Sequence, residues 1–239
     1  MPRAETIASA ANPLLKDIRR AVARGGLTAE GLLVAESFHL LEEALRSDCE
    51  VKTVLAAESV RGTVEGHIKR LAGIRFAVLP EALFQGISST GTSQGVIALV
   101  RPPTWNLDQL FRGNSLLVAL DGLQDPGNAG AISRAAEAFG ASGILFLKAT
   151  VSPFNAKTLR ASAGSLFRLP FIAGIDPDLA RAAFAQHTLD VYAAVPARQD
   201  EPSRRLDEVD LTRRCAIIIG SEAHGVRTEL RAAALDISK

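Results

Sequence analysis

The sequence contains few cysteines and few aromatic residues. Its 239 residues include two cysteines, one tryptophan and one tyrosine, and aromatic residues make up 5% of the chain. Cys49 and Cys215 have no CxxC spacing, and Cys215 opens the apolar run CAIIIG. This usage argues against a zinc site and against a disulfide framework, so we expect no metal and a reduced, cytoplasmic setting.

An excess of charge of one sign is also lacking. Lysine and arginine total 27 residues against 26 aspartates and glutamates. A polyanionic partner would therefore have to be bound by local basic patches, because the net charge of the chain does not attract it. Nucleic acid remains a possible partner.

Long apolar runs are missing as well. No window approaches the ~18 unbroken apolar residues of a membrane helix. The N-terminal stretch MPRAETIASAANPLLKD lacks the charged-then-apolar pattern of a signal peptide. We expect a soluble protein without a membrane partner.

Short apolar runs alternate with helical patterns along the first half of the chain. Strand-like runs such as GLLVAE, VKTVLAA, IRFAVL and GVIALV are separated by segments such as SFHLLEEALRS and EGHIKRLAG. This alternation predicts a layered α/β domain over residues 1–101. The stretch RPPTWNLDQLFRGN that begins at Arg101 has two prolines and no sustained period, so we assign residues 102–114 to a linker.

Residues 115–239 form a second α/β domain in this interpretation. Continuous apolar runs at 116–120, 143–147, 189–195 and 215–219 predict strands, and helical patterns lie near 128–140, 155–165 and 176–187. Continuous rather than alternating apolar strands are typical of a parallel sheet covered on both faces. Ligands of such sheets bind beyond the carboxyl ends of the strands, here the turns after Leu120, Leu147, Val195 and Ile219.

The turn DGLQDPGNAGAISR follows the first of these strands. Gly122 and Gly127 have the spacing of a P-loop, but Asn128-Ala129 replaces the phosphate-binding Lys-Ser/Thr pair, and the spacing does not fit GxGxxG. Asn128 is placed to cap the following helix. Arg134 lies in the second turn, where a guanidinium beside helix N–H groups can bind one phosphate. A solvated helix arginine explains the local pattern equally well.

The apolar stripe of this helix is predicted from the i, i+3, i+4, i+7 rule. It comprises Ile132, Ala135, Ala136 and Phe139. We expect this side to be buried against the sheet.

A second motif, GSEAHG, follows the strand at 215–219. Gly220 and Gly225 allow close approach of backbone to a flat ligand such as adenine, and Glu222 can accept a hydrogen bond. A helix-entry turn with an N-terminal glutamate would explain the same residues. His224 has no carboxylate or cysteine partner nearby in sequence, which favours a surface residue over a base.

Together, N-x-G-x-x-x-R (Asn128, Gly130, Arg134) and G-x-E-x-x-G (Gly220, Glu222, Gly225) resemble two motifs of the SpoU/TrmH family of RNA 2′-O-ribose methyltransferases. KTLRASAGSLFRLPF resembles the S-x-G stretch that the family has between them. NPLLKDIRR, LLVAESFHLLEEAL and SSTGTSQGVIALV resemble the RNA-binding domain of the rRNA-modifying members, which has the fold of a kink-turn-binding ribosomal protein.

The resemblance implies a knotted SPOUT domain, a homodimer, S-adenosylmethionine as cofactor and RNA as substrate, with large-subunit rRNA favoured over tRNA. It implies catalytic roles for Arg134, Asn128 and Glu222. The implied cofactor-binding residues are Ala194, Val195, Gly220, Ser221 and Gly225. Because an arginine pKa above ~12 makes deprotonation costly, we expect Arg134 to orient the RNA phosphate and stabilise the alkoxide across a dimer interface.

Basic residues in two regions are candidates for contacts with the RNA backbone. They are Lys16, Arg19, Arg20 and Arg24 near the N-terminus and Lys157, Arg160 and Arg168, joined by Ser162, between the two motifs. Basic residues on an exposed helix need no ligand to explain them. The absence of neighbouring aromatic residues favours folded RNA over single strands.

The third motif of the family, an Ile-Pro pair followed by Ser-Leu-Asn, is not found. Ile237 is followed by Ser238, and the register places this motif just beyond Lys239. We expect either a longer natural chain or a degenerate member. Two alternatives therefore stay open: a non-catalytic RNA-binding protein on this scaffold, and a small-molecule nucleotide-binding enzyme of flavodoxin-like or Rossmann type. A tRNA substrate is a third.

Overall fold

The computed structural model describes residues 4–71, 73–197 and 203–238. The chain divides into two compact units. The first comprises Met1–Pro103 and Phe154–Arg168, and the second comprises Thr104–Pro153 and Leu169–Lys239. The segment Phe154–Arg168 thus packs with the first unit, although the chain on both sides of it belongs to the second.

The first unit contains a five-stranded mixed sheet. Its strands are β1 (Ala4–Thr6), β2 (Leu33–Glu36), β3 (Glu50–Ala57), β4 (Arg75–Leu79) and β5 (Val96–Arg101), in the order β1-β4-β3-β5-β2. Strands β1, β4 and β3 are parallel, and β5 runs antiparallel to β3 and β2. Its helices are α1 (Pro13–Arg24), α2 (Phe38–Arg46), α3 (Arg61–Ile68), α4 (Glu81–Gln85) and, from the second stretch of chain, α7 (Ala156–Ala161), with 3-10 turns at Glu58–Val60 and Ser165–Phe167.

Helix α1 illustrates how the sequence sets the ends of these elements. The Asn12 side chain accepts a hydrogen bond from Leu14 N, and Pro13 occupies the first turn, where its missing N–H costs nothing. Gly25 ends the helix in the left-handed conformation at φ +61°. Between them Leu15 and Ile18 are buried in the core beneath the sheet.

The second unit contains a seven-stranded sheet. Its strands are β6 (Leu116–Asp121), β7 (Gly143–Leu147), β8 (Phe171–Ile175), β9 (Asp190–Ala194), β10 (Arg204–Arg205), β11 (Cys215–Gly220) and β12 (Leu235–Ser238), in the order β10-β12-β9-β11-β6-β7-β8. Every paired strand is parallel to its neighbour. Its helices are α5 (Leu107–Leu110), α6 (Pro126–Ala138), α8 (Pro177–Gln186) and α9 (Thr228–Arg231), with a 3-10 turn at Leu206–Glu208. The predicted parallel α/β architecture of this half is confirmed.

Four of the seven strands coincide with the apolar runs of the sequence. β6, β7, β9 and β11 begin or end within one residue of the predicted strands, and all residues of β7 are buried. Three strands were not predicted: β8, because FIAGI contains Gly174, β10, because it has only two residues, both arginine, and β12, because LDIS is short and half polar. β8 pairs with β7, β12 pairs with β9, and β10 pairs with β12.

The start of α6 differs from the prediction. Asp125, not Asn128, is the N-cap: its side chain accepts a hydrogen bond of 2.8 Å from Asn128 N, and Pro126 takes the first helical position. The helix therefore begins earlier than the apolar pattern suggested, because the Asp-Pro pair provides both the capping oxygen and a fixed φ. The Asn128 side chain is left available for another contact.

The buried side of α6 also differs from the predicted stripe. Phe139 is 84% exposed, and Ala135 is exposed, while Ala136 is buried as predicted. The buried residues are Ala129, Gly130, Ser133 and Ala136. The physical reason is size, since small residues let the helix approach the sheet closely, whereas the larger apolar side chains lie on another side.

The predicted linker contains a short helix. In α5 the Asn106 side chain accepts from Gln109 N at 3.0 Å, and Gln109 Oε1 accepts from Asn106 N at 2.7 Å. This capping box is what stabilises so short a helix. The boundaries 1–101, 102–114 and 115–239 stay a prediction.

Candidate active site

Two clefts lie at the carboxyl edge of the parallel sheet, where ligands of such sheets bind. The larger cleft, of about 640 Å³, is lined by the turns after β6 and β7 and by residues 221–225 after β11. The smaller cleft, of about 300 Å³, is lined by the turn after β9 and by the same residues after β11. The turn 221–225 is therefore shared by the two clefts.

The smaller cleft gathers every residue predicted to bind the cofactor. These are Ala194, Val195, Gly220, Ser221 and Gly225. Ile219 and Val226 add apolar side chains to the lining, and Glu222 and Arg231 add charged ones. Its size and lining are those of a small-molecule site.

The turn between β11 and α9 is closed by two main-chain hydrogen bonds. Ser221 N donates to Gly225 O at 3.1 Å, and Gly225 N donates to Ser221 O at 2.9 Å. Ser221 Oγ accepts from His224 N at 3.1 Å. A Cβ on Gly220 would lie 1.9 Å from the carbonyl carbon of Gly225, and Gly225 itself has φ +70°. Close backbone approach and a left-handed conformation explain both glycines.

Asn128 and Glu222 are in direct contact. Asn128 Nδ2 donates to Glu222 Oε1 at 2.8 Å, so the first turn of α6 is joined to the turn after β11. The hydrogen bond from Asn128 is the main cause that holds the pKa of Glu222 below its usual value, and main-chain hydrogen bonds add to it. Glu222 is therefore a carboxylate at neutral pH and a weak proton acceptor.

Arg134 lies on the exposed side of α6. Within the part of the chain that the structure describes, its guanidinium has no hydrogen bond or ion pair with another residue. Its neighbour Ser133 is buried and donates from Oγ to Ala129 O at 2.8 Å. An arginine side chain of a helix leans toward the preceding turn, here the turn of Gly130 and Ala131. The structure thus leaves this cation available to an anion from outside the chain.

The structure also reveals a pair that sequence reasoning missed. Asp121, the last residue of β6, is 2% exposed and accepts from Arg227 N at 2.8 Å and from Arg227 Nε at 2.6 Å. Arg227 Nη2 also donates to Lys148 O at 3.4 Å. The available signal was an aspartate that ends an otherwise apolar strand, since a buried carboxylate needs a partner.

The four basic residues predicted near the N-terminus all lie on α1, but in different surroundings. Lys16 and Arg24 are exposed, and Arg20 lies 3.8 Å from Asp17 in an exposed ion pair. Arg19 donates to the carbonyls of Gly86 at 3.0 Å and Ala10 at 3.2 Å, which gives it a structural role within this unit.

The basic residues predicted between the two motifs pack within the first unit. Arg160 lies 3.5 Å from Glu36, and Arg168 is paired with Glu43. Lys157 is exposed at the start of α7. Ser162 is fully buried, and its hydroxyl donates to Leu159 O at 2.8 Å.

Glu36 is the centre of a polar cluster in the first unit. It is 2% exposed and accepts hydrogen bonds from Ser89 N at 2.8 Å, from Ser93 Oγ at 2.8 Å and from the Ser88 hydroxyl. Burial would raise the pKa of Glu36, but these hydrogen bonds together hold it below the usual value. Because its carboxylate is buried, accepts these hydrogen bonds and lies beside Arg160, we assign Glu36 a structural role at the edge strand β2.

Two kinds of feature are absent from residues 4–71, 73–197 and 203–238. No group of three or more histidine, cysteine, aspartate or glutamate side chains there could hold a metal ion. No helix in those ranges is long and apolar enough to cross a membrane.

Burial raises the pKa of the thiols of both Cys49 and Cys215.

Comparison with protein families gives two matches. Residues 115–238 match the model of the SpoU rRNA Methylase family, and residues 12–98 match the MRM3-like substrate binding domain. Together they cover most of both units.

Individual proteins agree with these matches. The chain is 30% identical over 224 residues to the 23S rRNA (guanosine(2553)-2'-O)-methyltransferase RlmP of Bacillus subtilis, covering 94% of this chain and 85% of that protein. A crystal structure of an RNA 2'-O ribose methyltransferase superposes with a TM-score of 0.79 at 26% identity, covering 98% and 88%. The AdoMet-bound rRNA methyltransferase of Sinorhizobium meliloti superposes with a TM-score of 0.77 at 26% identity, covering 98% and 88%.

Proposed function

Since this chain belongs to the SpoU rRNA methylase family, whose members methylate ribose 2′-hydroxyls of RNA with S-adenosylmethionine, we propose that it modifies one ribose of ribosomal RNA as a homodimer. The observation that carries this proposal is the arrangement on α6 and the turn after β11. Arg134 has no partner within the described residues, and on the same helix Asn128 is bonded to Glu222. The Bacillus subtilis relative, named for a 23S rRNA guanosine, favours rRNA over tRNA.

The smaller cleft fits the cofactor. Ala194 and Val195 on one side and Gly220, Ser221 and Gly225 on the other would hold S-adenosylmethionine, whose flat adenine suits the glycine backbone and whose size suits about 300 Å³. When bound, the cofactor supplies an electrophilic methyl group on a sulfonium. Gly220 has no Cβ, so the backbone of Gly225 and Val226 can pack directly against it, and this close packing holds the turn beside the cleft.

The chain must then orient the 2′-hydroxyl and stabilise the charge that develops on its oxygen. Arg134 binds the phosphate next to the target ribose and stabilises the alkoxide. The hydroxyl proton passes to the phosphate or to water, because deprotonating an arginine with a pKa above ~12 is costly. Glu222, a carboxylate at neutral pH, fixes the Asn128 side chain and is a positioning residue.

The RNA backbone is bound by the exposed basic residues. We assign this role to Lys16, Arg20, Arg24 and Lys157. Arg19, Arg160 and Arg168 have structural partners in the first unit, so we give them a supporting role. Ser162 is buried and is left out of the proposal.

Dimer formation through α6 is supported by the exposure of Phe139, which is 84%. Ala135 and Ala138 are exposed on α6, and Arg134, also exposed, directly precedes them on that helix. Burying Phe139 against a second copy would bring Arg134 to the subunit interface.

We further propose a knotted sheet, a cytoplasmic location, and domains at 1–101 and 115–239.

The proposal is tested by replacing Arg134 in the full chain. Arg134→Ala should lower methyl transfer from labelled S-adenosylmethionine to unmodified ribosomal RNA by about a hundredfold or more, since it removes charge stabilisation made in the transition state. Arg134→Lys should recover part of the rate, because it keeps the charge and loses the bidentate geometry.

Cofactor binding, measured by calorimetry, distinguishes the roles. It should be unchanged in both variants, because the smaller cleft does not include Arg134. Equal loss of cofactor binding and of transfer would show that Arg134 has no specific role toward RNA. Methylation of tRNA but not rRNA would reject the substrate assignment.

A further inference from the structure

We propose that the larger cleft binds the guanine base of the target nucleotide. This inference rests on the proposed methyl transfer and names its substrate more closely. The larger cleft shares the turn 221–225 with the smaller cleft, so a nucleotide in one and a cofactor in the other are separated by a single turn. Transfer of a methyl group requires the two reactants to meet at such a boundary.

The charged groups of the larger cleft suit guanine. Glu229 lines the cleft, is exposed, and has no ion pair or hydrogen bond with another described residue. A free carboxylate accepts two hydrogen bonds side by side, which matches the N1–H and N2–H donors of guanine. Adenine presents an acceptor at N1, which a carboxylate repels.

Arg227 supplies the complementary donor. Asp121 binds its Nε, and the carbonyl of Lys148 accepts from Nη2, so its guanidinium is held in place at the cleft. Its Nη1 group has no partner among the residues described in the structure. Guanine carries acceptors at O6 and N7, for which an arginine donor is the commonest specific contact.

The backbone around this cleft is constrained in a way that leaves room for a flat ring. Gly122 has φ +71°, and Ala149, an L-residue in the same unfavourable region, has φ +71°. Thr150 holds these turns together, donating from Oγ1 to Leu120 O at 2.8 Å and accepting from Gly122 N at 3.0 Å. Left-handed non-glycine residues are enriched at binding sites because the surrounding structure must enforce them. The small side chain of Ala149 leaves the cleft open.

The first experiment identifies the nucleoside. The full chain is incubated with labelled S-adenosylmethionine and unmodified large-subunit ribosomal RNA, and the RNA is digested to nucleosides for mass spectrometry. Label in 2′-O-methylguanosine is expected. Label in any other 2′-O-methylnucleoside overturns the inference but leaves the proposed function intact, whereas no ribose methylation at all rejects the proposed function.

The second experiment tests Glu229 against one group of the base. A synthetic RNA fragment carrying the modified site is compared with the same fragment holding inosine, which lacks the N2 amine, at that position. Glu229→Gln should lower kcat/KM on the guanosine fragment about tenfold, the size expected for one good base contact. On the inosine fragment the variant should lose little further activity.

Controls separate recognition from folding. Calorimetric affinity for S-adenosylmethionine should be unchanged in Glu229→Gln, and Asp178→Asn, the same kind of change on the exposed surface of α8, should leave kcat/KM unchanged on both fragments. Equal losses for Glu229→Gln on guanosine and inosine fragments would overturn the assignment of Glu229 to the base.

Discussion

The side chains of Asn128 and Glu222, 94 residues apart in the sequence, are joined by a hydrogen bond of 2.8 Å. Asn128 belongs to the helix that carries Arg134, and Glu222 belongs to the turn shared by the two clefts. The contact therefore fixes the position of the proposed phosphate-binding helix relative to the proposed cofactor site within the second unit. It also keeps Glu222 ionised, because the amide donor stabilises the charged form.

The Asn128–Glu222 contact should appear as energetic coupling. Asn128→Ala and Glu222→Gln should each lower the methyl-transfer rate, and the double variant should be no slower than the worse single one, with a coupling of about 1 kcal/mol. In Asn128→Ala the pKa of Glu222 should rise toward its ordinary value of 4.5, so the acid limb of the pH–rate profile should move to higher pH. Fully additive losses would mean that the two side chains act separately.

Gly220 should tolerate no side chain. In Gly220→Ala the new Cβ would meet the carbonyl carbon of Gly225 at 1.9 Å and Val226 N at 2.1 Å, so the turn must open. We expect loss of S-adenosylmethionine binding in calorimetry and a free energy of unfolding lower by about 2 kcal/mol or more.

A matched control for Gly220 is available on α3. Gly62 lies inside that helix, and a Cβ there would meet nothing within 4 Å. Gly62→Ala should leave cofactor binding unchanged and raise the free energy of unfolding by about 0.5–1 kcal/mol. Normal cofactor affinity in Gly220→Ala would show that the turn does not shape the smaller cleft.

Glu36 should make the stability of the chain sensitive to acid. Its pKa in the folded chain is below the ordinary 4.5, so its contribution is fully present above that pH and is lost as the pH falls through the folded value. Glu36→Gln should lower the free energy of unfolding at pH 7 by about 1–3 kcal/mol, since the buried hydrogen bonds lose their charged acceptor.

The pH profile of thermal unfolding provides the measurement for Glu36. Below pH 4.5 the difference in melting temperature between the wild-type chain and Glu36→Gln should shrink. Glu58→Gln, a change at an exposed position, should track the wild-type chain throughout. A constant difference at every pH would mean that Glu36 acts through packing rather than charge.

Phe139 should control the oligomeric state. Phe139→Asp places a charge at the exposed C-cap residue of α6 and should convert the proposed dimer to a monomer in light scattering, with loss of methyl transfer. Leu179, 63% exposed on α8, offers the control: Leu179→Asp should leave the mass and the rate unchanged. Unaltered mass in Phe139→Asp would place any interface elsewhere.

Much of the second unit was predictable because its signals are local. The apolar runs of β6, β7, β9 and β11 are short-range patterns, and continuous burial follows from a parallel sheet with both faces covered. The motif residues Ala194, Gly220 and Gly225 were assigned to one ligand site, and they line one cleft. Strands β8, β10 and β12 were missed because their own composition is weak and their neighbours supply the pairing.

The fold class of the second unit, the order of its motifs and the residue types at the clefts could all be predicted from the amino-acid sequence. The buried side of α6, its N-cap Asp125 and the pairing of Asp121 with Arg227 become visible only in the folded chain. The same holds for the packing of Phe154–Arg168 with the first unit, where Glu36 binds Arg160. The reason is the distance along the sequence over which each interaction acts. Strand patterns depend on residues that are near one another in sequence. An ion pair such as Asp121–Arg227 forms only after the sheet has brought distant segments together.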